Sequence, residues 1–206
     1  MSANNNTQFA SRIANAEQFQ DALFAKLLEL GFTVAVNGTE HTHPAFAEKL
    51  RHSTDQTSLA IRFQPDGVAC IGSIPRTIYV EAKAARNIER TAYEQYMKLY
   101  NAGNVLAVVF GKLDWQWNFI EAIELSRGED TVAKFPPARR FPVADGWIVP
   151  RQAQHWQTVK AENPGASGTA YREIVPASLN AWDAFKPAIV KRLTAASEVH
   201  HVMGKD

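Results

Sequence analysis

Three things are scarce in this chain: cysteine, an excess of charge of either sign, and long apolar runs. Cys70 is the single cysteine of 206 residues, which excludes an internal disulfide framework and a cysteine-based zinc site and indicates a reducing compartment, so we expect the cytoplasm. The 22 Lys and Arg residues are balanced by 21 Asp and Glu residues, so any surface that binds a polyanion must be local. No stretch approaches the roughly 18 apolar residues of a membrane span, and residues 1–10 lack the pattern of a secretory signal, so no membrane partner is expected.

The rest of the composition is that of a globular protein. Hydrophobic residues make up 46% of the chain and charged residues 21%, which provides enough apolar material for a sizeable core. The last third differs in composition because it is rich in Pro and Trp, but no linker-like segment precedes it. We therefore predict one structural domain overall, with a core over residues 1–134 and a C-terminal extension over residues 135–206 packed on that core.

The first half of the chain shows alternating helix and strand patterns. A capping-box pattern at 15–18 precedes apolar residues at helical spacing, and Gly31 offers a stop, so we predict a helix over 16–30. A short strand follows over 32–36, and a short helix is placed around 45–51 in a polar stretch. Three strand patterns then predict an antiparallel meander: residues 59–63, 67–71 and 77–84.

A second helix and a buried strand follow the meander. Thr91 with Glu94 is another capping-box pattern, and it predicts a helix that Gly103 ends. The continuous apolar run at 105–110 predicts a strand buried on both faces. Residues 115–125 fit either a strand or a helix, and the pattern alone leaves that choice open.

Proline punctuates the chain from residue 135 onward and leaves room only for short elements. A strand at 147–149 and a final helix near 188–196 are the clearest of these. The extension should also pack against other parts of the chain, because its aromatic residues are too many to remain in water. Together, the order of elements predicts an α/β sandwich around a mixed sheet.

The most informative residues lie at the ends of two neighbouring predicted strands. Asp66 follows Pro65 and precedes the strand at 67–71, while Glu81 and Lys83 lie in the next strand. In an extended chain residues i and i+2 share a face, so Glu81 and Lys83 point the same way. If the two strands pair, Asp66 and Glu81 converge at one edge of the sheet, with Lys83 one step further along.

Two carboxylates and one ammonium in a shared pocket suit metal-dependent cleavage of a phosphodiester. Mg²⁺, or Mn²⁺ in its place, prefers oxygen ligands and keeps several waters, so Asp66 and Glu81 are the candidate ligands. The metal would polarise the phosphate and lower the pKa of a bound water. Lys83 would orient that water or help to deprotonate it, and would offset the negative charge that develops.

Each half of this pattern also has a plain structural interpretation. Pro65-Asp66-Gly67 between two hydrophobic runs is a strong turn signal that needs no metal. Glu81 and Lys83 fit a solvated strand face with a weak surface ion pair. The combination favours a functional site, because the two charges interrupt an otherwise apolar strand and a buried charge is costly unless it is compensated.

These residues resemble the motif of the PD-(D/E)XK nuclease superfamily, which pairs an Asp after Pro with a downstream Glu/Asp-x-Lys on adjacent strands. The matching residues are Pro65, Asp66, Glu81 and Lys83, and the element order over 16–110, about half of the chain, is also similar. The resemblance implies a restriction-endonuclease-like three-layer core with a mixed central sheet. It also implies a metal-dependent DNA endonuclease that needs no organic cofactor.

The resemblance adds two further candidate site residues. Glu17, in the first turn of the opening helix, matches an acidic metal ligand of many superfamily members, although the helix dipole also favours an acid there. Gln95 lies in the helix after the lysine strand, where superfamily members often place Gln or Glu beside the catalytic centre. That match is partial, because Tyr100 follows five residues later where the RecB-like pattern has four.

Four basic residues flank the proposed centre and are candidates for a local DNA-binding surface: Arg62, Arg86, Arg90 and Lys98. Each of them also fits an ordinary solvated face. DNA is therefore the expected partner, and a homodimer is left open because the sequence gives no stoichiometry. Two alternatives remain: a DNA-binding module with the nuclease fold but no catalysis, and a protein-interaction domain that uses the Trp-rich extension.

Overall fold

Helices and strands alternate along much of the described chain. The computed structural model describes residues 3–37, 49–50, 53, 55–112, 116–127, 140–142, 147–150 and 170–203. The α-helices in these ranges are α1 (Ala3–Glu29), α2 (Gln56–Arg62), α3 (Arg90–Asn101), α4 (Ala122–Leu125) and α5 (Phe185–Met203). The strands are β1 (Phe32–Val36), β2 (Gly67–Ile71), β3 (Thr77–Lys83), β4 (Asn87–Glu89), β5 (Val105–Phe110), β6 (Asn118–Glu121), β7 (Arg140–Pro142), β8 (Ile148–Pro150), β9 (Tyr171–Glu173) and β10 (Asn180–Ala181). Short 3-10 helices lie at Pro176–Ser178 and Trp182–Ala184.

The central sheet is mixed, as predicted. Its strand order is β1-β2-β3-β5-β6-β10. β3 and β5 pair in parallel, from Ile78 opposite Val105 to Lys83 opposite Phe110, and the other neighbours pair antiparallel. A parallel pair needs a crossover connection, and α3 provides it. The carboxyl ends of β3 and β5 therefore meet at the same end of the sheet.

Helices cover both faces of this sheet. Along β5 the side chains alternate between two apolar clusters, so all six residues of the strand are buried. One cluster joins the sheet to α1 and α5, and the other joins it to α3 and α4. The structure thus has three layers, helices on a mixed sheet on helices, which confirms the predicted fold class.

The C-terminal residues contribute to this core. β10 pairs with β6 in the central sheet, and α5 adds Phe185, Ile189 and Leu193 to the cluster that it shares with α1. A second sheet has the order β4-β9-β8-β7, so β4 from the first half pairs with β9 from the extension. The two parts of the chain are joined through both sheets.

The predicted strand at 59–63 is wrong, because residues 59–62 belong to α2 and Phe63 is its C-cap. Asp55 is the N-cap of this helix, and its Oδ1 accepts a hydrogen bond from the Ser58 N–H at 2.9 Å. A side-chain cap of this kind satisfies an N–H that has no partner in the first helical turn. The third strand of the antiparallel meander is instead β1, which pairs with β2 from Phe32 opposite Ile71.

Helix starts differ from the capping-box predictions. α1 begins at Ala3, far before residue 16. α3 begins at Arg90, and its N-cap Glu89 makes no side-chain capping bond, so the box predicted at Thr91 and Glu94 is wrong. The stops are confirmed, since α1 is followed by Gly31 at φ 87° and α3 by Gly103 at φ 84°.

The other predicted elements agree with the structure to different extents. The ambiguous segment at 115–125 contains both a strand, β6, and a helical turn, α4. The short helix at 45–51 lies mostly outside the described residues, and only 49–50 are seen as helical. The last helix begins at Phe185 rather than near 188, with Pro187 in its first turn, where proline is tolerated. None of the described helices is long and apolar enough to cross a membrane.

Candidate active site

The pairing of β2 with β3 brings Asp66 and Glu81 together. Gly67 lies opposite Val80, so the next positions along the two strands are Asp66 and Glu81. The Asp66 N–H donates to Glu81 Oε2 at 3.2 Å, and Asp66 Oδ2 accepts the Ala82 N–H at 2.7 Å. The side chain of Asp66 thus continues the antiparallel ladder beyond the last backbone pair. Both carboxylates lie at one end of the sheet, as the strand pattern predicted.

The segment that carries Asp66 is held from both sides. The Asn37 N–H donates to Asp66 O at 2.8 Å, and its side-chain amide donates to Pro65 O at 3.0 Å. On the other side Gly67 lies against α1, where an added Cβ would come within 2.8 Å of the Phe24 ring. This close approach explains a glycine directly after Asp66. Asn37 was not singled out from the sequence, since it is simply the polar residue that follows β1.

Lys83 completes the cluster by pairing with Glu81. Its Nζ lies 2.5 Å from Glu81 Oε1, and the Lys83 side chain is 29% exposed against 6% for Glu81. The backbone of Lys83 is fixed as well, because the Gly111 N–H donates to its carbonyl at 3.1 Å. A buried carboxylate is therefore paired with a cation that still reaches solvent.

Tyr96, on α3, is a site residue that sequence reasoning missed. Its side chain is 1% exposed, and it makes a side-chain hydrogen bond with Glu81. Burial, followed by the charge of Glu81 and this hydrogen bond, raises the pKa of Tyr96 well above its ordinary value, so the phenol stays protonated. In the sequence Tyr96 is simply one residue of the helix predicted to end at Gly103, and the neighbouring Glu81 gives it a polar role.

The electrostatic balance at Lys83 favours its charged form. Burial is the largest single influence and lowers the pKa of Lys83, but the charge and hydrogen bond of Glu81 outweigh it, together with the charges of Asp66 and Glu89. The net effect raises the pKa of Lys83, so this side chain is a cation at neutral pH. Glu89 is an exposed third acid near the cluster that sequence reasoning did not select.

The two additional candidates are placed differently. Gln95 is 7% exposed on α3, directly before Tyr96. Glu17 is exposed on α1, in the turn before Phe19, whose ring lies against Gly111 at the same end of the sheet as Lys83. The structure puts both residues on elements that flank the cluster, and their roles stay predictions. In the described part of the chain, no group of three or more His, Cys, Asp or Glu residues is arranged to hold a metal.

The four basic candidates are dispersed. Arg86 is exposed and follows Lys83 at the site end of the sheet. Arg90 pairs with Glu94 at 3.0 Å. Lys98 donates to Gln56 at 2.7 Å from the last turn of α3, which lies toward the opposite end of the sheet. Arg62 lies in the last turn of α2, with its guanidinium 5.0 Å from the Phe63 ring.

A groove of about 210 Å³ opens just beyond Lys83, where the carboxyl ends of β3 and β5 meet. Small residues form much of its wall, and Arg86 contributes a cation. Its lining residues are Ala84, Ala85, Arg86, Phe110, Gly111, Gln116 and Asn118. Ligands of open α/β sheets commonly bind in a crevice at the carboxyl ends of parallel strands, and this groove has that position.

Comparisons with known proteins add little to this geometry. No family model matches the chain, and no curated protein matches it. Among solved structures the chain is similar to Hjc, a Holliday junction resolvase from the archaeal hyperthermophile Archaeoglobus fulgidus, with 17% identity and a TM-score of 0.37. The match covers 55% of this chain and 82% of that one. At these values the function has to be argued from the site itself.

Proposed function

We propose that this protein is a metal-dependent DNA endonuclease that hydrolyses phosphodiester bonds at the cluster of Asp66, Glu81 and Lys83. The observation that carries the proposal is the contact geometry of these three residues. Asp66 and Glu81 are joined by a 3.2 Å hydrogen bond across neighbouring strand ends, and Lys83 lies 2.5 Å from Glu81. Two acids and a lysine gathered on strand ends are the arrangement that the resemblance to PD-(D/E)XK nucleases implies.

The donor set fits Mg²⁺ or Mn²⁺. Asp66 and Glu81 supply carboxylate oxygens, and Mg²⁺ is commonly bound through one or two carboxylates together with waters and substrate phosphates. Two protein ligands therefore suffice, and Glu17 is the proposed candidate for a third. When bound, the metal would supply a Lewis acid that polarises the scissile phosphate and lowers the pKa of water.

Lys83 would act on the substrate as a cation. Its raised pKa keeps the ammonium protonated at neutral pH, so it can donate hydrogen bonds to the attacking water or to a phosphate oxygen. The same charge offsets the negative charge that grows on the phosphate during attack. This interpretation favours orientation and charge neutralisation by Lys83 over proton abstraction.

The groove beyond Lys83 provides a path for the DNA backbone. It adjoins the cluster, three small residues in its wall allow close approach, and Arg86 lies in it. Phosphate contacts from Arg position a nucleic acid without reading its sequence. We therefore propose DNA as the partner, with Arg86 as the first of the four basic candidates to contact it.

The test is cleavage of duplex, branched and single-stranded DNA with Mg²⁺ or Mn²⁺, with Asp66→Asn and EDTA as controls. Asparagine retains an oxygen that can accept the Ala82 N–H, so the fold should survive while the charge is lost. We expect cleavage by the wild type and none in either control. Cleavage that persists in Asp66→Asn or in EDTA would contradict the proposed site.

A second candidate function is a DNA-binding module of the same fold without catalysis. The observation that favours it is the direct ion pair between Glu81 and Lys83, in which each charge is compensated without any ligand. Binding of DNA without cleavage of any substrate in the panel, with no effect of Asp66→Asn on binding, would support this candidate. Failure of both cleavage and binding would favour the protein-interaction alternative.

A further inference from the structure

We infer that Tyr96 is a positioning residue that fixes the orientation of the Glu81 carboxylate for metal binding. This inference rests on the proposed function and extends it to a residue outside the acid and lysine motif. It starts from the sheet register. Glu81 lies opposite Val108 in the parallel pairing of β3 with β5, and Tyr96 packs in the same apolar cluster as Val108. The ring is thus held against the strand position beside Glu81.

The hydroxyl group of Tyr96 makes a hydrogen bond within this apolar layer. A buried tyrosine hydroxyl normally requires a hydrogen-bond partner, and here the partner is the Glu81 side chain. A phenol has an O–H to donate, whereas an ionised carboxylate can only accept. Tyr96 is therefore the donor and Glu81 the acceptor.

Glu81 accepts from three donors that differ in rigidity. Lys83 approaches Oε1 through a flexible side chain that is 29% exposed, and the Asp66 N–H approaches Oε2 from the start of β2. Tyr96 donates from a ring that is 1% exposed and packed on α3. A packed aromatic ring loses little further freedom when it makes a hydrogen bond, so this contact is the one best suited to hold the carboxylate plane. Hydrogen bonds of this kind to metal-binding carboxylates typically contribute 10–100-fold to metal affinity or activity.

The decisive variant is Tyr96→Phe, which removes the hydroxyl and retains the ring. Tyr93→Phe is the matched control, because Tyr93 lies on the same helix and its hydroxyl donates to Leu125 O at 3.4 Å instead of to the site. Mn²⁺ binding to each protein is measured by calorimetry without DNA, and the Mg²⁺ dependence of cleavage is measured separately. We expect Tyr96→Phe to weaken Mn²⁺ binding about 10-fold or more and to raise the Mg²⁺ concentration for half-maximal cleavage. Tyr93→Phe should match the wild type.

A background without the Glu81 charge separates positioning from general packing. If Tyr96 acts through Glu81, then Glu81→Gln and the double variant Glu81→Gln/Tyr96→Phe should bind Mn²⁺ equally weakly. A further loss in the double variant would overturn the inference, and so would wild-type affinity in Tyr96→Phe. In both cases Mn²⁺ binding and cleavage by the wild type would leave the proposed function intact. A wild type that neither binds Mn²⁺ nor cleaves DNA would remove the proposed function together with the inference.

Discussion

Two sets of strand ends in the central sheet each hold acids beside a cation, but the acids have different tasks. At the end formed by β6 and α4, Glu121 pairs with Arg192 at 3.0 Å, and the Glu121 N–H donates to Glu124 at 3.0 Å. Glu121 and Glu124 form a capping box for α4, and Glu124 also accepts from Asn180 of β10. Both acids at this end are accounted for by a helix start and by the attachment of C-terminal elements.

At the other end, neither Asp66 nor Glu81 caps a helix or attaches a C-terminal element, although both accept backbone N–H groups. Glu81 is nevertheless 5% exposed, near the carboxyl end of an otherwise apolar strand. Placing two acids on facing strand ends costs free energy, because the charges lose water and repel each other. Lys83 and Tyr96 offset this cost, but only because the fold holds them beside the acids as well. The comparison teaches that an ion pair alone is no mark of function. Buried acids that neither start a helix nor attach another element are the ones that indicate a site.

The largest expected difference between the two ends is in catalysis. Glu81→Gln should reduce Mg²⁺-dependent DNA cleavage to background, because it removes a metal-binding charge and keeps the shape of the side chain. Glu121→Gln should retain cleavage and lose at most about 1 kcal/mol of stability, as expected for a partly exposed ion pair. Cleavage rates and denaturant unfolding of both variants provide the measurement. Equal cleavage by the two variants would remove the distinction between the ends.

The paired cations offer a second, smaller contrast. Lys83→Met should lower the turnover number about a hundredfold with little change in DNA affinity, because Lys83 is expected to act mainly on charge that develops during attack. Arg192→Met, at the other end, should affect neither quantity. Single-turnover cleavage gives the rate, and binding in Ca²⁺ gives the affinity. Equal losses of rate and affinity in Lys83→Met would assign it to substrate binding and contradict its proposed role.

The sequence was sufficient for the part of the site that depends on strand periodicity. Glu81 and Lys83 share a face because they are two residues apart in β3, and Asp66 comes next to Glu81 because β2 and β3 pair as neighbours. These relations follow from local geometry and a short connection. The central buried strand at 105–110 was predictable for the same reason, since a continuous apolar run fits a strand covered on both faces.

Contacts between distant elements were not predictable in this way. Tyr96 reaches Glu81 only because α3 crosses over between two parallel strands. The apolar periodicity of the helix does not show that the Tyr96 hydroxyl contacts a carboxylate. Residues 59–63 are mostly apolar, as in a strand, but the Asp55 cap at 2.9 Å from the Ser58 N–H starts a helix there. The three-residue strands β4 and β9 are too short to leave a periodic signal.

The smallest expected effect concerns DNA binding by Arg86. If this exposed residue contacts a phosphate from the groove beyond Lys83, then Arg86→Ala should weaken binding to all DNA sequences alike. It should also reduce the slope of log affinity against log salt by about 1. Arg76→Ala is the control, because Arg76 contacts Gly103 O at 3.3 Å at the opposite end of the sheet. Fluorescence anisotropy over a series of salt concentrations measures both slopes. An unchanged slope for Arg86→Ala would place the DNA path elsewhere, and an equal decrease for Arg76→Ala would mean that DNA contacts both ends of the sheet.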